Sequence, residues 1–375
     1  MEIPVHQQIL GAAFLIAAVT GAIANKTNFC TMGAISDWIN MGDSGRFRAW
    51  LLAMAVAIAS VVLIEWSGKG MLGTSTFPPY RTPNFAWARY LLGGLMFGIG
   101  MTLASGCGNR TMVRIGGGNL KSLVVLVIAS LASYLMLWTN FYEVAFGSWI
   151  GPMTINLAKY GIGSQSLGDL LAPLIGVQGG AGLNTAIGLA LAAALMVGVF
   201  SGREFRGSPD NILSGLAIGA AVAAGWYLTA GPLGQAWKEF AEMSAMPPAR
   251  VEIQSFTFIS PMGDVVHYLG SPGNFLLLNF GVMALAGVIA GSAVYALASR
   301  RFRIEWFAGP GDFANHAIGA VLMGTGGVLS MGCTIGQAVT GISTLALGSF
   351  LAFASIVAGA ALTMKVQYWR ITQEA

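Results

Sequence analysis

The sequence predicts an all-α polytopic membrane protein. It would be built from about nine spanning helices, with short re-entrant helices between them and two repeats of inverted topology. Three observations lead there. Of 375 residues, 55% are hydrophobic and only 9% charged, whereas soluble domains carry about a quarter charged residues. Apolar stretches recur from one end of the chain to the other. Two distant segments also match each other without a gap.

A fold in water cannot cover its surface with so few charges, so the solvent this composition suits is lipid. The formal charge of +4 is a weak excess and gives no reason to expect nucleic acid. Glu2 and His6 precede the first apolar stretch, with no basic region before it and no small-residue cleavage site after it. The stretch runs instead into Asn25-Lys26-Thr27-Asn28, so we read it as a first membrane helix rather than a secretory signal. The spanning segments, of roughly 16–25 residues, are expected near 8–24, 48–66, 89–106, 119–139, 183–200, 211–231, 274–299, 315–332 and 344–365. Several are short and rich in glycine. The 52 glycines far exceed the usual share of roughly 7%. Most serve close helix packing, and some permit broken helices.

Basic residues orient the chain. Arg300, Arg301 and Arg303 form the strongest cluster and are expected in the cytoplasm, which places the C-terminus with Lys365 and Arg370 there as well. Segment 232–273, with Glu239, Glu242, Glu252 and Asp264 against Lys238 and Arg250, then falls outside. The Arg46/Arg48, Arg110/Arg114/Lys121 and Arg203/Arg206 connections fall inside, while Lys69, Arg81 and Arg89 are misfits on the outer face.

The internal match pairs residues 93–113, GGLMFGIGMTLASGCGNRTMV, with 319–339, GAVLMGTGGVLSMGCTIGQAV. Gly93 falls on Gly319, Gly98 on Gly324, Gly100 on Gly326, Leu103 on Leu329, and Gly106-Cys107 on Gly332-Cys333. The charge pattern sends the first copy inward and the second outward, as in inverted-repeat transporters, whose substrate sites lie at the repeat interface. The expected division is 1–140 for one repeat, 141–210 for a connecting loop and linking helix, and 211–375 for the other.

The three cysteines share a setting. Cys30 lies in Asn28-Phe29-Cys30-Thr31-Met32-Gly33, Cys107 in Ser105-Gly106-Cys107-Gly108-Asn109, and Cys333 in Met331-Gly332-Cys333-Thr334-Ile335-Gly336. Each ends an apolar stretch and opens a segment of glycine and small polar residues. Such backbone cannot face lipid and is tolerated where it lines a cavity. Its free N–H groups there attract an anion. A lone buried cysteine usually acts as a small hydrophobe; three at helix breaks point to a binding path. A thiol is a weak donor and a soft acceptor, and weak sites let a substrate leave as readily as it arrives. With an odd number of cysteines and no Cys-x-x-Cys, a disulfide framework or a four-ligand zinc site is not expected.

The expected substrate-contacting residues are Cys30, Cys107, Cys333, Gly106, Gly108, Gly332 and Thr334, with Lys26 and Arg110 drawing an anion toward the path; Arg114 could share that role. The basic residues equally serve as ordinary topology signals. Asp37, seven residues after Cys30, reads as a helix cap rather than a catalytic group. His6, His267 and His316 are far apart and lack ligand spacing, so no metal or other cofactor is expected. Gly116-Gly117-Gly118 lacks the residues of a nucleotide loop.

With these motifs the chain resembles the YeeE/YedE sulfur-transport family over nearly its whole length. The likeness rests on Asn28-Phe29-Cys30 with Gly33 and Asp37, and on Gly93-Gly94 through Gly98, Gly100 and Gly106-Cys107. Its most specific part runs from Ala298-Ser299-Arg300-Arg301-Phe302-Arg303 through Gly319–Gly324 to Gly332-Cys333-Thr334-Ile335-Gly336. The resemblance implies a nine-helix inverted repeat in the bacterial inner membrane, importing thiosulfate past three cysteines matched by Cys30, Cys107 and Cys333. It also implies, for some members, a cytoplasmic TusA-like sulfurtransferase as partner. Family members often carry Arg-Gly-Arg-Phe-Cys at the first cysteine, and Arg before the aspartate. Here the residues are Asn25-Lys26-Thr27-Asn28-Phe29-Cys30 and Ser36-Asp37, and segments 140–180 and 232–273 are long. These departures bear on the substrate, and another reduced sulfur or selenium species is an alternative cargo. A membrane-bound thiol enzyme, a sulfurtransferase or redox protein, is the alternative of a different class. The lack of Cys-x-x-Cys, of histidine near a cysteine and of any cofactor motif speaks against it.

Overall fold

A computed structural model describes residues 4–177 and 179–374; Glu2, used above to read the N-terminus, and Ala375 lie outside the described residues. The first apolar stretch forms α1 (Val5–Thr27). It stops where Asn28 turns left-handed, and Cys30 opens α2 (Thr31–Ser36), which runs into a π-helical turn at Asp37–Met41. Then follow α3 (Gly45–Trp66), α4 (Trp87–Leu103), α5 (Gly108–Gly116) and α6 (Leu120–Trp138). The connecting region holds α7 (Ser148–Ile150), α8 (Leu167–Ile175), α9 (Ala181–Phe200) and α10 (Arg203–Arg206). The last part comprises α11 (Pro209–Ala230), α12 (Pro232–Met243), α13 (Ile259–Leu269), α14 (Phe280–Ala298), α15 (Pro310–Leu329), a π-helical turn at Ile335–Gly341, and α16 (Leu347–Glu374). Four two-residue strands, β1 (Thr76–Phe77), β2 (Asn84–Phe85), β3 (Ile155–Asn156) and β4 (Ile253–Gln254), pair β1 with β4 in parallel and β2 with β3 antiparallel.

Among the described residues, 8 helical stretches are long and apolar enough to cross a membrane. The protein is thus an all-α, multi-pass membrane chain. The expected ninth span, 315–332, corresponds to α15. Its 20 residues give about 30 Å at 1.5 Å per residue, yet it is less apolar than the others, with Asp312, Asn315 and His316 near its start. Lys121 of α6 meets Asp312 at 2.7 Å.

The two ends of the chain pack by the same plan. Helix α1 lies on α14, and α11 on α3; α16 lies on α4, and α6 on α15. The broken pieces follow suit, with α5 on α14 and the 335–341 turn on α3, α2 on α16 and α13 on α6. At the centre α4 meets α15 backbone to backbone. A methyl group placed on Gly93 would lie 2.7 Å from the Gly326 carbonyl oxygen, and one on Gly326 would lie 2.8 Å from that of Gly93. Gly100 and Gly319 stand in the same relation at 2.6 Å each way. Any side chain at these four positions would separate the helices, which is how small residues drive packing in lipid.

Segment 232–273 is not the plain external loop its charges suggest. It contains α12 and then turns inward, with residues 254–264 buried. Helix α13 is pinned there by Asp264, which meets Arg250 at 2.8 Å and Asn279 at 2.9 Å. The sequence conceals this because Ser255, Thr257, Ser260, Pro261 and Gly263 interrupt every apolar run. Two topology misfits also find partners. Arg81 forms a two-pronged ion pair with Glu65 at 2.6 and 2.9 Å and donates to the Thr344 carbonyl at 2.8 Å. Arg89 donates to the Leu329 carbonyl and lies over the Tyr142 ring. These arginines are held by tertiary contacts, so they do not act as free charges for topology.

Candidate functional site

Each cysteine is aimed by the same local device. The residue two places before it is left-handed: Asn28 (φ 53), Ser105 (φ 57) and Met331 (φ 60). For non-glycine residues this conformation is uncommon. It ends the preceding helix in a tight turn, in which the following N–H, of Phe29, Gly106 or Gly332, donates back to the carbonyl of Ala24, Met101 or Gly327. Ser105 and Met331 are equivalent positions of the internal match. A short helical piece then begins at each break, α2 after Cys30, α5 after Cys107 and the π-helical turn after Cys333.

Two thiols serve as helix caps. The Cys30 sulfur accepts from the Gly33 N–H and the Cys333 sulfur from the Gly336 N–H, both at 3.4 Å. Capping of α2 therefore falls to Cys30 and not to Asp37, whose carboxylate lies at the far end of α2 and pairs with Arg46. Cys30 is 5% exposed, and Cys107 and Cys333 are fully buried. The Cys30 and Cys107 thiols are close enough to act on each other. Thr31 donates to the Cys107 sulfur at 3.8 Å. Thr334 lies beside that sulfur without completing a hydrogen bond. The three helix breaks thus converge on one buried cluster.

That cluster holds an unusual share of unmet polar groups. Among the described residues, Asn109 Nδ2, Thr257 Oγ1, Thr334 Oγ1 and Gln337 Oε1 are buried without a hydrogen-bond partner. Each lies within four residues of Cys107 or Cys333 in sequence, or, for Thr257, against Gly336. A buried polar atom left unsatisfied costs roughly 1–3 kcal/mol. A cluster of them is destabilising by itself, and its three possible donors, Asn109, Thr257 and Thr334, suit a guest rich in acceptors.

Residues close in sequence to Cys30 and Cys107, Asn28 and Arg110 among them, help line a cavity of about 200 Å³ together with Asn25, Arg114, Asn119, Arg301, Arg303 and Glu305. Four arginines against one glutamate make it an anion-attracting mouth. Arg110 is half-buried, donates to Asn28 Oδ1 at 3.2 Å, and acts electrostatically on both thiols. Arg114 donates to the Ser105 carbonyl at 2.9 Å. Lys26 stands apart from them, exposed and 3.9 Å from Asp210. On the other side Cys333 is roofed. Tyr80 donates to the Gly336 carbonyl at 2.7 Å, and the buried Phe258 places its main-chain N–H beside the Cys333 sulfur.

The remaining expected residues lie within this frame. Gly106 lies under the Arg110 side chain, Gly108 opens α5 against Ile259 and Met262, and Gly332 backs onto Gln337. The histidines are engaged elsewhere: His6 accepts from the Trp237 indole, His267 stacks on Trp138, and His316 lies 3.0 Å from Asp312. Tyr80, Thr257, Phe258 and Gln337 were not expected from sequence. Gln337, four residues after Cys333, is the one whose spacing gave a signal; the others reach the site only through tertiary folding.

Known proteins bear on this arrangement. The chain is 23% identical to the thiosulfate transporter TsuA of Spirochaeta thermophila, over 94% of this chain and 97% of that one. It is 23% identical to the thiosulfate transporter TsuA of Escherichia coli, over 87% and 85%. A shorter similarity, 26% identity over 38% of this chain and 34% of the other, links it to the probable transporter YedE of Salmonella typhimurium. Residues 26–362, which include all three cysteines, match the sulphur transport family, and the chain belongs to that family.

Proposed function

We propose that this protein is an inner-membrane permease that imports thiosulfate, handing the anion along Cys333, Cys107 and Cys30 to the arginine-lined mouth. The observation that carries this reading is the meeting of three buried thiols, each at a helix break, beside an opening rich in arginine. The two relatives named as thiosulfate transporters support the choice of cargo. Each thiol is a weak, soft partner, so no single station traps the anion. The unmet groups of Asn109, Thr257 and Thr334 are placed to replace part of its water.

Residues 1–140 and 211–375 form the two inverted repeats in this reading, joined by 141–210. The paired packing of their helices and the reciprocal glycines of α4 and α15 support it. The arginine-lined mouth and the C-terminus face the cytoplasm, following the basic cluster at 300–303. A TusA-like sulfurtransferase, implied by the family resemblance, receives the anion there. No covalent step is required, because the thiols act as hydrogen-bonding stations. Uptake of labelled thiosulfate by cells lacking other sulfate and thiosulfate importers tests the proposal. Saturable uptake that depends on this chain, with no persulfide on the recovered protein, is the expected result. A stoichiometric persulfide would instead favour the thiol-enzyme reading.

A further inference from the structure

We propose that Phe258 holds, in the second half of the chain, the place that Cys30 holds in the first, and that it sets anion selectivity by forming an apolar wall at the constriction. Cys30 is the N-cap of α2, and Phe258 is the N-cap of α13. Helix α2 packs on α16 as α13 packs on α6. Cys30 neighbours the Cys107 thiol, and Phe258 neighbours the Cys333 thiol. The pieces differ in how they are entered: an ended helix leads to Cys30, and an extended segment following β4 leads to Phe258.

Position by position, the chemistry diverges. Thr31, after Cys30, donates a hydroxyl to the Cys107 sulfur. Ile259, after Phe258, is fully buried and would lie 3.7 Å from a methyl group on Gly108. One flank of the thiol cluster therefore offers thiols, a hydroxyl and a nearby arginine, while on the other the matching places are taken by Ile259 and by Phe258. Phe258 lines a small cavity with Asn109 and Ile335 and leaves the hydroxyls of Thr257 and Thr334 as the polar groups on that flank. An apolar wall replaces none of the water an anion gives up, so the penalty grows with the strength of hydration. Sulfate, which carries terminal oxygen where thiosulfate carries sulfur, holds its water more firmly and is turned away there. The soft sulfur end of thiosulfate tolerates contact with the ring.

This inference rests on the proposed uptake of thiosulfate, and the test separates the two. Labelled thiosulfate uptake is measured with unlabelled sulfate as competitor in wild type, Phe258→Ser, Phe258→Cys and Phe258→Leu, alongside the amount of each protein in the membrane. Sulfate is expected to compete poorly against wild type and Phe258→Leu. Against Phe258→Ser and Phe258→Cys its potency is expected to rise by about tenfold or more, the scale on which a pocket wall discriminates. Phe258→Cys, with a side chain suited to burial, reads the ratio even if Phe258→Ser is lost from the membrane. Sulfate potency unchanged in Phe258→Cys, with thiosulfate uptake retained, overturns the role of Phe258. Absence of thiosulfate uptake by wild type overturns the transport reading instead.

Discussion

Cys107 and Cys333 occupy matching positions of two matching segments. Each follows a left-handed residue by two places and a glycine by one, and each opens a short helical piece. Their surroundings nevertheless differ. Beside Cys107 the chain opens into a cavity walled by Arg110, Arg114, Arg301 and Arg303. Around Cys333 it closes, with Tyr80 bonded to Gly336, Thr257 against the same glycine, and the whole turn 335–341 buried. The contrast shows that a local motif fixes where a thiol points, while distant segments decide what can reach it. In the conformation described here both thiols are buried, with the arginine-lined cavity on the side of Cys107.

The severest way to break the comparison is to remove either thiol. Cys107→Ala and Cys333→Ala are both expected to reduce uptake of labelled thiosulfate nearly to background. The proteins should remain in the membrane, since loss of one sulfur atom costs of order 1 kcal/mol in packing. Cys333→Ser sharpens the test by keeping a donor of similar size. Wild-type uptake in that variant would mean that a hydroxyl suffices and that the softness of sulfur is irrelevant.

Next in size is the roof over Cys333. The Glu65–Arg81 pair is almost wholly buried, at 7% and 8% side-chain exposure, and Arg81 ties the segment leading from Tyr80 to the Thr344 carbonyl. Breaking such a pair from one side costs roughly 3–5 kcal/mol. Arg81→Ala is therefore expected to lower the thermal midpoint of the purified protein markedly and to make Cys333 more reactive toward a small maleimide. An unchanged midpoint would show that the pair does not hold the roof.

A smaller effect is expected from accessibility in the intact protein. In variants retaining one cysteine each, a small maleimide should modify Cys30 several-fold faster than Cys333, because only Cys30 is both partly exposed and beside the open mouth. Equal rates would mean that the asymmetry of access is absent in the membrane. Least of all, Arg110→Gln should slow uptake of every anion a few-fold without changing their ranking, since one screened charge at a mouth acts on approach rather than on discrimination. A change in the order of preference would place Arg110 in the filter itself.

Much of the fold was legible because lipid imposes simple demands. The long apolar runs became helices, displaced at their ends by a few residues, and the cysteines marked the breaks because glycine and small polar residues cannot stay in contact with lipid. The gapless match of 93–113 with 319–339 anticipated the meeting of Gly93 with Gly326 and of Gly100 with Gly319 only in part; that the two copies touch each other required coordinates. Segment 253–269 escaped notice because its 11-residue helix is too short and too interrupted to register as apolar. Lys26 was named for its nearness to Cys30 in sequence; its side chain lies 3.9 Å from Asp210. Arg81 was misjudged for the converse reason, as its partner Glu65 lies 16 residues away.

The mutual contact of α4 and α15 also bears on which positions of the two matching segments are free to change. Where α4 rests on α15, each seam glycine meets the counterpart of the other, since Gly326 matches Gly100 and Gly319 matches Gly93 in the aligned segments. Gly93 faces Gly326 while Gly319 faces Gly100, so a larger residue on one copy has no spare volume on the other to occupy. Drift along that seam is blocked on both copies at once. Residues away from the seam meet unrelated neighbours and are free to part company. Cys30 and Phe258, the pair proposed above to set selectivity, lie away from that seam, so on that proposal selectivity can change in one half of the chain while the seam holds both in place.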